Sequence, residues 1–137
     1  MTDNAVKERI ISPGVREPAE RMWSNCLRIG DLIVVSGMTA RGDDGATIEG
    51  ADEYEQAMVI FEKIRRLITE AGAAMDDIVK MTIFVTKIGN NAAVWKARQE
   101  FFNGDFPACT LVEVSSLAKP EILLEIEALA VRGCSNQ

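Results

Sequence analysis

Apolar and polar positions alternate along this chain with two periods, and each change of period marks an element. After a short segment containing Ile10 and Ile11, Pro13, Gly14 and Pro18 mark an irregular loop. Residues 23–29 and 32–36 read as two strands, and Gly30-Asp31 between them is a hairpin signal. Gly42, Gly45 and Gly50, with Asp43 and Asp44, mark a long loop. Over 52–71 the spacing predicts a helix: Tyr54, Ala57, Met58, Phe61, Ile64, Ile68 and Ala71 form one apolar stripe. Glu62 and Arg66 then face solvent as an i,i+4 pair, and Gly72 stands where a left-handed cap is expected. Val79, Met81, Ile83 and Val85 alternate with Lys80, Thr82, Phe84 and Thr86, the pattern of a half-buried strand. A second helix is expected over 91–102, with Val94, Ala97 and Phe101 inward and Trp95 at its edge.

The most informative stretch is 106–131, FPACTLVEVSSLAKPEILLEIEALAV, which reads as two strands joined by a turn. Apolar Val112, Val114, Ile126, Ala128 and Ala130 alternate with Cys109, Leu111, Glu113, Glu125 and Glu127. Side chains two apart share a face, so the pattern sets one thiol and three carboxylates opposite the apolar side. The predicted order is β-β-β-α-β-α-β-β, an α+β domain with two helices on one face of a mixed sheet. The other face stays uncovered within the monomer and is expected to pack against other subunits.

A length of 137 residues fits a single domain over 1–137, with a partly irregular N-terminal segment over 1–20. The formal net charge is −6, and the Lys and Arg residues are scattered rather than clustered, so nucleic acid and anionic membranes are poor partners. There is no histidine, which removes His-based zinc sites, Ser-His-Asp and Cys-His pairs and histidine bases. Three cysteines without CxxC spacing suggest neither a disulfide framework nor a metal cluster. The N-terminus lacks the apolar run of a signal peptide, and no stretch approaches the roughly twenty apolar residues of a membrane span. A cytoplasmic protein is the expectation.

Three segments, SNCLRIGDLIVVSGM, DDIVKMTIFVTKI and the closing FPACTLVEVSSLAKPEILLEIEALAV, resemble the RidA (YjgF) family of reactive-intermediate deaminases. The resemblance implies a chorismate-mutase-like fold assembled as a homotrimer, with a central barrel and small-molecule pockets in the clefts between subunits. It also implies hydrolysis of imines and enamines to ammonia and a carbonyl compound, with no cofactor or metal. In the deaminating branch an arginine follows the Pro-Ala pair and clamps the substrate carboxylate; here that position is Cys109. The branch's pocket cysteine aligns with Leu111, a pocket asparagine with Trp95, and an aromatic that closes the pocket with Trp23. Glu125 matches the glutamate that positions the attacking water. The catalytic candidates are therefore Cys109 and Glu125, and the substrate-contact candidates are Trp23, Gly37, Met38, Trp95, Thr110 and Leu111.

Each candidate also has a plain structural reading. Cys109 could be a small apolar filler, Glu113 and Glu127 ordinary strand residues, and the two tryptophans a seal for a subunit interface. The leading expectation is hydrolysis of an imine, an enamine or a related conjugated amine, with simple 2-imino acids turned over weakly because the arginine is missing. A Cys109-dependent hydrolase of another C–N bond and a non-catalytic metabolite-binding trimer are the alternatives.

Overall fold

The computed structural model describes residues 6–135, so both ends of the expected 1–137 domain lie outside the described residues. The elements are β1 (Lys7–Arg9), β2 (Cys26–Ile29), β3 (Leu32–Met38), α1 (Glu53–Glu70), β4 (Ile78–Val85), α2 (Asn91–Gln99), β5 (Ala108–Glu113) and β6 (Leu124–Val131). The six strands form one sheet in the order β1-β2-β3-β6-β4-β5. Only β4 and β5 run parallel; the other neighbours are antiparallel. This is the α+β architecture expected from the periodicity.

The first helix forms where the stripe places it. Asp52 caps its N-terminus by accepting a bond from the Glu55 amide at 2.9 Å, and Glu53 and Glu55 complement the positive end of the helix dipole. Gly72, at φ +86°, takes the left-handed conformation that ends the helix, which a side chain with a Cβ rarely adopts. Ala57, Ile60, Phe61, Ile64, Leu67 and Ile68 are fully buried against β3 and β6, where Ile33, Val35, Ile126 and Ala130 meet them. Arg66 reaches Glu62 at 3.2 Å, as its spacing predicts, and Arg65 joins the same carboxylate.

Four expectations need correction. The first strand is Lys7–Arg9 rather than the Ile10-Ile11 segment; Ile10 instead drops into the core while Ile11 stays exposed. The second strand begins at Cys26, because residues 23–25 follow an irregular loop in which Arg21 has φ 65°. Helix α2 stops at Gln99, and the chain then turns so that Phe101 and Phe102 both pack on Phe61, at ring-centroid distances of 5.3 and 6.1 Å.

The fourth correction alters the site. Strands β5 and β6 are not a hairpin, since β4 lies between them. Strand β6 buries Leu124, Ile126, Ala128 and Ala130 and uses both of its hydrogen-bonding edges, pairing with β3 and β4. Strand β5 is left at the sheet edge, parallel to β4, with α2 making the crossover that a parallel pair requires. The parallel register pairs Cys109 with Met81 and Leu111 with Ile83. Met81 and Ile83 are fully buried beneath the helices, and Cys109 and Leu111 pack at the margin of that core. Glu125 and Glu127 pair instead with Phe84 and Thr82, which alternate with Met81 and Ile83 and so point to the other side of the sheet. The thiol and the two carboxylates of β6 therefore lie on opposite faces. The open face also carries Thr110 and Val112 beside Thr82 and Phe84, and no element of the described chain covers it.

Candidate functional site

The candidate site begins at the end of β3. Ser36 and Gly37 interrupt the pairing with β6 between Val35 and Met38, forming a bulge that turns the strand end outward. Glu125 folds its carboxylate over Gly37, where a Cβ would overlap the Glu125 Oε2 atom. A side chain at position 37 would have to displace that carboxylate. Glu125 is half-buried, and burial, followed by the negative charge of Glu127, raises its carboxyl above the usual range.

Beyond Gly37 a cleft of about 290 Å³ opens between the loop after β1, the start of β2 and the loop after β3. Trp23, Gly37 and Met38 all contribute to its wall. Trp23 is 54% exposed and is steered by Asn25, whose Oδ1 accepts the indole N–H at 3.2 Å. Asn25 is itself buried and donates to the Arg16 carbonyl at 2.9 Å and to Glu17 at 3.3 Å. One side chain thus ties the loop, the indole and the strand start together. Arg16, Arg41 and Lys63 also line the cleft. The Lys63 ammonium donates to the carbonyls of Thr39 and Arg41, and burial pulls its pKa down from the ordinary lysine value.

The remaining candidates lie elsewhere in the monomer. Trp95 is half-buried on α2 and carries the Arg98 guanidinium 4.2 Å above its ring; the Phe106 ring flanks the same guanidinium at 5.7 Å. Arg98 Nε is buried and has no hydrogen-bond partner among the described residues. Thr110 accepts a bond from Lys80 at 2.8 Å on the open face, while Leu111 packs toward the helices. Glu113 accepts from the Ile88 amide at 2.9 Å, tying β5 to the connection that follows β4. Glu125, Gly37, Met38 and Trp23 therefore gather around the β3 end, whereas Cys109, Leu111 and Trp95 belong to the helix side.

Sequence reasoning passed over Arg16, Arg41, Lys63 and Asn25. The first two lie in two separate loops without periodicity. Lys63 reads as a polar helix residue, although its position between Phe61 and Ile64 sets it at the rim of the apolar stripe. For Asn25, the only signal was an amide between Trp23 and the buried Cys26.

The pattern of the Endoribonuclease L-PSP family matches residues 14–132. A 2-iminobutanoate/2-iminopropanoate deaminase of Dermatophagoides farinae is 31% identical over 127 residues, covering 90% of this chain and 96% of that protein. A solved structure from Pseudomonas aeruginosa superposes with a TM-score of 0.83 at 37% identity, covering 93% of this chain and 94% of that one. A member of the conserved Rid protein family from Yersinia pestis, YyfA, also gives 0.83, at 31% identity and with 92% and 99% coverage. The chain is a member of the L-PSP/RidA family and has its chorismate-mutase-like fold. Among the described residues, no helix is long and apolar enough to cross a membrane.

Proposed function

We propose that this protein hydrolyses the C=N bond of a reactive imine, or of the imine to which an enamine tautomerises, using Glu125 to position and deprotonate water. Membership of a family with named imine deaminases supports the reaction type. The observation that carries the assignment within this chain is the Glu125 carboxylate lying over Gly37, a residue that lines the Trp23 cleft. Half-burial and the neighbouring Glu127 make this carboxylate more basic than an exposed one, which favours its taking a proton from water. Water adds to the electrophilic carbon while its proton passes to Glu125. Glu125 returns that proton to nitrogen to give the carbinolamine and then relays the hydroxyl proton to the same nitrogen, so that the C–N bond breaks and ammonia leaves with a carbonyl product. No redox partner is needed, since every atom comes from the substrate and water.

The working assembly is a homotrimer with the site between subunits. Cys109 and Trp95 lie on the helix side of the sheet, and Glu125 lies on the open side. One chain cannot bring them together, so a shared pocket would draw on two copies. The uncovered face, with Val112, Leu129 and Val131 each more than a third exposed, gives such copies an apolar surface to bury. In that arrangement Cys109 of one subunit meets the substrate from one side, and Glu125 and Thr110 of its neighbour meet it from the other. With no arginine at position 109, short 2-imino acids are poor substrates.

The test is ammonia release from enzymatically generated imines and enamines, aliphatic and aromatic, by wild type, Glu125→Gln and Cys109→Ala. Turnover that falls at least a hundredfold in Glu125→Gln supports the assignment. Equal turnover in wild type and Glu125→Gln would sink it, and no turnover with any compound would favour a metabolite-binding trimer. Sedimentation of a monomer at micromolar concentration would exclude the intersubunit site.

A further inference from the structure

The cleft beside Gly37 is lined by Arg16, Arg41 and Lys63, with Glu17 as its only acidic side chain among the described residues. Glu17 is already engaged by Arg9 at 2.7 Å. Three positive charges thus converge on one hollow of about 290 Å³ in a protein whose formal net charge is −6. Among the described residues, none of the three forms an ion pair with a carboxylate.

Backbone carbonyls hold these cations in place. Arg16 donates from Nη1 to the Asp43 carbonyl at 2.9 Å, and Arg41 donates from Nη1 to the Gly45 carbonyl, also at 2.9 Å. The Arg16 guanidinium lies against Gly45, where an added Cβ would stand 2.6 Å from its Cζ. Both forks are therefore anchored on one loop. Each guanidinium carries five N–H donors, and a bond to one carbonyl leaves most of them for another acceptor. The Lys63 ammonium supports the same loop through the Thr39 and Arg41 carbonyls. The acids that act on Lys63 through space are Asp43 and Glu49. Crowded like charges raise one another's energy and attract an anion to the hollow they line. A planar fork matches an oxyanion in a way that a single ammonium does not.

We propose that Arg16 and Arg41, with Lys63 behind them, form an oxyanion-binding subsite in the Trp23 cleft. The ligand of this cleft then carries a carboxylate or phosphate group, held by the loops after β1 and β3 and not by position 109 on β5. Its bearing on turnover rests on the hydrolase reading above; the anion binding itself does not.

The test is calorimetric titration of the full chain with glutarate, with inorganic phosphate and with neutral glutaramide, at low and at high salt. Wild type, Arg16→Ala, Arg41→Ala and Arg41→Lys are compared, with Arg65→Ala as a surface-charge control. The expected result is that one of the two anions binds at least tenfold more tightly than glutaramide and weakens with salt. Arg16→Ala and Arg41→Ala should each lose at least tenfold, Arg41→Lys should recover part of the loss, and Arg65→Ala should bind as wild type. The stronger of the two anions identifies the carboxylate or phosphate source. Failure of both anions to bind wild type, or affinities for them that match glutaramide, would overturn the subsite. So would unchanged affinity in a folded Arg41→Ala protein. Anion binding without ammonia release in the hydrolysis assay leaves the subsite standing and removes the hydrolase reading; ammonia release without anion binding does the reverse.

Discussion

The carboxylate of Glu125 occupies the space that a side chain at Gly37 would fill. One residue comes from β6 and the other from the bulged end of β3, so sheet pairing fixes their relationship. Gly37 lines the cleft, and its missing Cβ allows the Glu125 carboxylate to lie over the bulged strand end. A general base needs such a defined position before its basicity matters.

Gly37→Ala is therefore expected to displace the Glu125 side chain without unfolding the protein, because the overlapping atoms belong to the far end of a flexible chain. The stability loss should stay within about 1 kcal/mol, while ammonia release should fall at least tenfold. A variant that melts like wild type and keeps full turnover would show that this contact has no catalytic role.

Glu127 should control the titration of Glu125. Burial first and the Glu127 charge second raise the Glu125 carboxyl, so Glu127→Gln should move its midpoint down. Carbon-13 NMR of the labelled carboxyl groups reads this directly, and a midpoint that stays put or rises would contradict it. The linkage has the opposite sign to that of a salt-bridged acid. A raised folded-state pKa contributes stability below the unfolded value that is lost as pH rises through the folded one. Glu125→Gln should accordingly stabilise the fold at neutral pH and cease to do so in acid.

Asp77 is buried at the start of β4 and holds the C-terminal segment. It accepts from the amides of Ala74, Gly133 and Ser135 at 3.0, 3.0 and 2.9 Å and from the Ser135 hydroxyl at 2.6 Å. Burial alone would raise its carboxyl, but these bonds outweigh burial and lower it to about 2. Its stabilisation is present above the ordinary aspartate value of about 4 and disappears as pH falls through about 2. Asp77→Ala should cost about 3 kcal/mol at neutral pH, with the gap from wild type closing between about pH 4 and 2. Denaturant melts at several pH values measure this, and a pH-independent gap would rule out the ionised carboxylate as its source.

Phe61 joins α1 to the turn after α2 through Phe101 and Phe102, and it is fully buried. Phe61→Ala should destabilise by about 3–5 kcal/mol. A loss below 1 kcal/mol in urea melts would mean that the aromatic cluster is not a common anchor for the two helices.

The elements were legible because each is amphipathic on its own. The stripe from Ala57 to Ile68 and the alternation from Ile78 to Val85 record burial of one face, and local periodicity is enough to reveal it. The second helix was overextended because Phe101 and Phe102 continue an apolar pattern beyond the last helical turn. For the site, the sequence marked Trp23, Gly37, Met38 and Glu125, which the fold gathers at one end of β3. It placed Cys109 on the wrong side because alternation within a strand gives no register between strands.

The sequence by itself determined the α+β class, the order of elements, the absence of imidazole chemistry and the family. All of these reside in residue identity and in periods of two and 3.6. Only the tertiary structure decided that β6 enters between β3 and β4, which separates Cys109 from Glu125 across the sheet. It also decided that Arg16, Arg41 and Lys63 meet in one cleft, although they come from two loops and a helix. Strand order and loop closure join residues far apart in the chain, and the energy of that joining belongs to pairs no local pattern contains.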